Sequence, residues 1–146
     1  MSARMTFTAM TEAFSVFVPG HPAPQGSKRH VGRGIMVESS KRVKPWRDDI
    51  RAALIDADGQ PKARFDGAVD VQIRFYMPRP KSMRHRTSPH TKRPDIDKLV
   101  RAILDAVTSS GVIRDDSVVT GIDATKVYAE TTEIPGAQIT VVDAPA

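Results

Sequence analysis

Between Val69 and Met77 apolar and polar side chains alternate without a break. Val69, Val71, Ile73, Phe75 and Met77 fall on one side, and Asp70, Gln72, Arg74 and Tyr76 on the other. A period of two is the pattern of a half-buried strand, and this is the clearest one in the chain. Weaker strand signals occur at Phe14–Val18, Val118–Tyr128 and Ala137–Val142. Helical spacing appears twice. Trp46, Ile50, Ala53 and Leu54 share one face of a segment from Pro45 to Ile55, with proline in a favoured first-turn position. Ile96, Leu99, Val100, Ile103, Leu104 and Val107 do the same from Ile96 to Thr108, where Ser109-Ser110-Gly111 supplies a stop. His21–Gly34, rich in Pro, Gly and basic residues, reads as an irregular loop. These elements predict a single small α+β domain, with a mixed sheet of four to five strands and two main helices. Residues 13–146 are expected to form it, preceded by a disordered segment over residues 1–12.

The chain has 146 residues, a length that suits one domain. It contains no cysteine, which excludes disulfides, Cys-ligated zinc, iron–sulfur clusters and thiol catalysis. No apolar run approaches the ~20 residues of a membrane span, and Met1–Thr11 has no signal-peptide core. No membrane partner and a cytoplasmic location are the expectations. Lys plus Arg number 22 against 17 Asp plus Glu, a net charge of +5 that suits polyanionic partners. Where those charges lie changes the picture more than their sum.

The loop from Met77 to Pro94 carries Arg79, Lys81, Arg84, Arg86, Lys92 and Arg93 with His85 and His90, and no acid. Like charges this close repel, so the loop is expected to stay mobile until an anion neutralises it. Phosphates would do so through counterion release. A second basic stretch begins at Lys28 and Arg29. Trp46 is its single aromatic residue, which points to backbone contacts on a duplex or branched structure rather than to base stacking.

The basic loop runs straight into Asp95-Ile96-Asp97. Acids at a helix start have an ordinary explanation as caps. Beside a phosphate-binding loop they also suit a divalent cation. The following helix advances ~17 Å from Asp97 to Thr108. An extended Val112–Asp116 could return about that far and bring Asp116 back to Asp95 and Asp97. Without that return, Asp115-Asp116 is a turn. Arg101, four residues after Asp97, is either a rung of an ion-pair ladder with Asp105 or a cation for a scissile phosphate. Acids, a metal and a cationic groove together point to metal-assisted phosphodiester hydrolysis. His85 and His90 lack a third ligand for zinc and read instead as pH-dependent phosphate contacts.

Lys92-Arg93-Pro94-Asp95-Ile96-Asp97-Lys98-Leu99-Val100-Arg101, followed by Gly111-Val112-Ile113-Arg114-Asp115-Asp116, resembles the RusA family of Holliday-junction resolvases. The Pro-rich Val18–Arg29 segment is similar too, so the likeness runs from about Phe14 to Val142. The resemblance implies metal ligation by Asp95, Asp97 and Asp116, with Asp115 nearby, and a requirement for Mg²⁺, with Mn²⁺ as a substitute. It also implies a homodimer that nicks branched DNA in pairs, nucleoid-associated through that substrate, in recombination and repair. Lys98 and Arg101 are assigned to catalysis, and Lys28, Arg29, Arg79, Lys81, Arg84, Arg86, Lys92 and Arg93 to DNA binding. Two positions depart from the family pattern: Arg101 stands where Lys is common, and Lys98 where Asn is. Arg cannot exchange a proton at neutral pH, so its role is electrostatic. The alternative is a branched-DNA-binding protein with weak or lost catalysis.

Overall fold

The alternating segment becomes a strand along its full length, at the centre of a sheet. The computed structural model describes residues 13–26, 28–30, 32, 36–38 and 41–145. In chain order the elements are β1 (Phe14–Pro19), β2 (Lys28–His30), β3 (Met36–Glu38), α1 (Val43–Leu54), β4 (Val69–Met77), α2 (Ile96–Ser110), a 3-10 turn (Asp116–Val118), β5 (Val119–Tyr128) and β6 (Gly136–Asp143). The four-stranded sheet has the order β1-β6-β4-β5. β6 runs antiparallel to both β1 and β4, whereas β5 is parallel to β4. A parallel neighbour needs a crossover, and the basic loop and α2 supply it.

The five apolar residues of β4 are all buried, as the period of two requires. They join Ile139 and Val141 of β6, Trp46, Ile50 and Leu54 of α1, and Leu99, Ala102, Ile103, Ala106 and Val107 of α2 in one core. Both helices therefore cover one face of the sheet. On the other, Gln72 and Arg74 are exposed.

The helix limits shift slightly from expectation. α1 starts at Val43, ahead of Pro45, because a first-turn proline lacks only an N–H that has no helical partner anyway. α2 continues through Ser110. The hydroxyls of Ser109 and Ser110 donate to the carbonyls of Ala106 and Val107, so the serines join the last turn instead of ending it. Gly111 then stops the helix in the left-handed region (φ 88°), its N–H on the Thr108 carbonyl.

One segment differs in kind. His21–Gly34, expected to be irregular throughout, contains β2, which pairs with β3 in the register Lys28↔Glu38, Arg29↔Val37, His30↔Met36. Strands of three residues are too short for periodicity to reveal. The segment 1–12 lies outside the described residues.

Candidate active site

Asp95 occupies the N-cap position of α2 with extended backbone angles, yet its side chain makes no capping hydrogen bond. Asp97 lies in the first turn. Both are exposed, and neither carboxylate is paired with a cation among the described residues. The ordinary explanation for acids here, capping, does not engage them.

Asp115 and Asp116 sit elsewhere. The Asp115 carboxylate accepts from the Ser117 N–H at 3.0 Å and caps the 3-10 turn. Hydrogen bonding from Ser117, its hydroxyl first and its N–H second, holds the Asp115 carboxyl below the usual carboxylate range. Asp116 accepts from the Thr108 hydroxyl, near the C-terminal end of α2. The expected return of Asp116 to the helix start does not occur. After Gly111 the chain turns inward: Val112 and Ile113 are fully buried, the Val112 carbonyl accepts from Phe65 N–H at 2.9 Å, and Ile113 bridges Phe65. Burying those two apolar residues takes the chain across the core instead of back along the helix.

The return is made one element later, by β5. What β5 brings to the start of α2 is Lys126, whose ammonium donates to the carbonyls of Lys92 and Pro94, each at 2.7 Å. Among the described residues, no group of three or more His, Cys, Asp or Glu side chains could hold a metal ion. Within one chain, then, Asp116 does not join Asp95 and Asp97 in a single acidic group.

Asp97, Arg101 and Thr108 follow one another at helical spacing on α2, away from the buried Leu99, Ile103 and Ala106, with half-buried Leu104 between them packed at the edge of the core. Asp97 and Asp116 thus mark two ends of one outward stripe, ~17 Å apart along the helix axis. The ion-pair ladder, one of the two readings of Arg101, is not present among the described residues. Asp105 turns instead to Gln25, whose amide donates to it while accepting from Arg47 at 2.6 Å. The Arg47–Asp105 pair itself stands at 4.0 Å. Gln25 N–H also bonds the Lys98 carbonyl at 3.0 Å. The Pro-rich strap is therefore fastened across both helices, and half-buried Lys98 contributes its main chain to that fastening. Beside it, Gly26 (φ 94°) gives room to Arg101: a Cβ there would stand 2.5 Å from a guanidinium nitrogen. The strap leads into β2, where the side chains of Lys28 and Arg29 lie outside the described positions.

The basic loop is held to the protein, contrary to the expectation that it stays mobile. Arg79 donates to the carbonyls of Met83 and Ala129. Arg86 donates to the Tyr128 carbonyl at 2.8 Å and to Glu133, and its own N–H meets Glu130. His90 is buried against Tyr128, ring centroids 4.5 Å apart. Burial, with the Lys126 charge second, holds its imidazole below the usual value. Acids that approach from the β5–β6 turn relieve the loop's self-repulsion, and Arg79 and Arg86 serve that purpose rather than facing outward. Lys81, Arg84, Lys92 and Arg93 remain exposed. Sequence reasoning missed Gln25, Arg47 and Lys126, since each acts on a partner distant in the chain.

Two exposed carboxylates, unpaired among the described residues, thus lie where a cationic loop meets a helix start on a small mixed-sheet α+β scaffold. A family model described as Endodeoxyribonuclease RusA matches residues 19–141, and the chain belongs to that family. The family comprises DNA endonucleases of the Holliday-junction-resolving kind, generally dependent on a divalent metal. The chain is also 27% identical over 127 residues to the "Uncharacterized protein YqaN" of Bacillus subtilis (strain 168), covering 80% of this chain and 87% of that one. Among the described residues, no helix is long and apolar enough to cross a membrane.

Proposed function

We propose that this protein is a Mg²⁺-dependent, structure-selective endonuclease that resolves four-way DNA junctions as a homodimer, in the cytoplasm and on the nucleoid. The observation that carries this reading is the pair Asp95 and Asp97, without an ion-pair partner among the described residues, at the head of α2 where the basic loop ends. Lys81, Arg84, Lys92 and Arg93, with Lys28 and Arg29 on the hairpin, form the phosphate-binding surface. Arg101, beside the strap, offsets charge on the scissile phosphate. Domain limits of 13–146 accompany the reading.

The separation of the acids supports a site shared between two copies. If the two-fold axis of the dimer crosses the α2 stripe between Arg101 and Leu104, each copy's Asp95 and Asp97 meet Asp116 of the partner subunit, with Asp115 behind it. Such a donor set is all oxygen and suits Mg²⁺ or Mn²⁺. A cation held there supplies Lewis-acid stabilisation and a more acidic bound water. Two symmetric incisions also call for two symmetric sites.

The test is a synthetic four-way junction incubated with Mg²⁺, Mn²⁺ or EDTA. Paired nicks that need the metal, abolished in Asp97→Asn and Asp116→Asn with junction binding retained, support the assignment. Full cleavage by either variant overturns the acid roles. Tight, salt-sensitive binding without cleavage in any divalent metal leaves the branched-DNA-binding alternative, which Lys98 and Arg101 at their unusual positions would then explain.

A further inference from the structure

Lys126 is neither an acid nor an outward-facing cation, yet its position is costly. It projects from β5 on the same side as buried Tyr128 and half-buried Ala124, the side covered by the helices. There its ammonium donates to two main-chain carbonyls, those of Lys92 and Pro94. A cation near the start of α2 works against the helix dipole, and ordering a long lysine side chain adds an entropic cost.

The main chain it grips has little else to hold it. Among the described residues, main-chain groups from Thr87 to Pro94 form no hydrogen bond with other main-chain groups. The first α-helical bond of α2 is Leu99 N–H to the Asp95 carbonyl at 3.1 Å. Between that stretch and this bond lies the approach to Asp95, and the Lys126 clamp falls on it. An ammonium bonded to two carbonyls fixes both the position and the direction of the backbone there, because charge-assisted bonds are short and roughly twice as strong as neutral ones.

We propose that Lys126 is a positioning residue for the Asp95–Asp97 pair: by tying the carbonyls of Lys92 and Pro94 to the sheet it sets where the two carboxylates stand. This rests on the reading of those acids as the reacting centre. The basic loop and the acids are thereby referenced to β5, so a DNA backbone lying on Lys92 and Arg93 is registered against Asp95 and Asp97 by one lysine.

The experiment compares Lys126→Met, of similar length but without a donor, with Lys126→Arg, which can still donate to two carbonyls. Amide hydrogen exchange is followed across residues 92–99, junction binding is measured in EDTA, and cleavage is resolved into kcat and KM with Mg²⁺. In Lys126→Met, exchange at Leu99, the first hydrogen-bonded amide of α2, is expected to quicken about tenfold and kcat to fall about tenfold or more, with affinity in EDTA within about threefold of wild type. Lys126→Arg is expected to recover most of both losses. Unchanged exchange and kcat in Lys126→Met overturn the proposal. So does a loss confined to DNA affinity, which would make Lys126 a phosphate contact, or equal loss in Met and Arg variants. A wild-type protein that cleaves nothing in any divalent metal refutes the nuclease reading and, with it, the positioning of a reacting centre; unaltered exchange in Lys126→Met alongside normal wild-type cleavage refutes the clamp alone.

Discussion

Mixing two inactive variants distinguishes a site built within one chain from a site shared between copies. A cation that takes oxygens at ~2.1 Å spans only about 4 Å between them. The run of α2 from Asp97 to Thr108, where Asp116 is anchored, covers ~17 Å, roughly four times too far for a common ion. Asp97→Asn and Asp116→Asn are each expected to lose at least about 100-fold in cleavage rate, since ligand loss removes several kcal/mol of stabilisation. After subunit exchange in an equal mixture, about half the dimers carry one copy of each. In such a dimer one shared site has lost both acids, whereas the other has all of them. About a quarter of the wild-type sites should therefore return, seen on a denaturing gel as single-strand nicks without paired incision. Within-chain sites predict that both remain dead. A mixture as inactive as its components, with exchange verified by mass on differently tagged copies, refutes the shared arrangement.

Other expectations follow from neighbouring contacts. Gly26→Ala places a Cβ against the Arg101 guanidinium in a left-handed backbone, and should cost about 1–2 kcal/mol in urea unfolding while slowing cleavage. Arg86→Ala removes bonds to Tyr128 and Glu133 and should lose about 2 kcal/mol of stability. Arg84→Ala, at an exposed position, should leave the unfolding curve unchanged and lower the salt slope of junction binding by about 1. His90 is held below its ordinary value of 6.5, first by burial and then by the Lys126 charge. Its contribution is thus complete above 6.5 and declines as pH falls through the lower folded value. Melting measured between about pH 7 and pH 5 should show that decline, and His90→Phe should flatten it.

What the amino-acid pattern revealed was local. β4 appears where the alternation stands, and α2 buries the face that its spacing marks. Each depends on residues a few positions apart. The position of Asp116 depended on where the chain goes after Gly111, and burial of Val112 and Ile113 against Phe65 decided that. The expected extended return was sound in length but belongs to β5, so a lysine rather than an aspartate arrives at the head of α2. The basic loop was misjudged for the same reason. Glu130 and Glu133, which pair with Arg86 across 44 and 47 positions, become its neighbours only once β5 has paired with β4. The hairpin β2–β3 was invisible because its strands are too brief for a period.

The stretch of α2 that holds Asp97 and Asp116 apart also bears on abundance. On the shared-site reading, a solitary copy has its cutting parts at opposite ends of a rod and can harm no DNA. Incision would then climb with the square of protein concentration below the dimer dissociation constant, so a scarce protein stays silent and becomes active only as its copies accumulate.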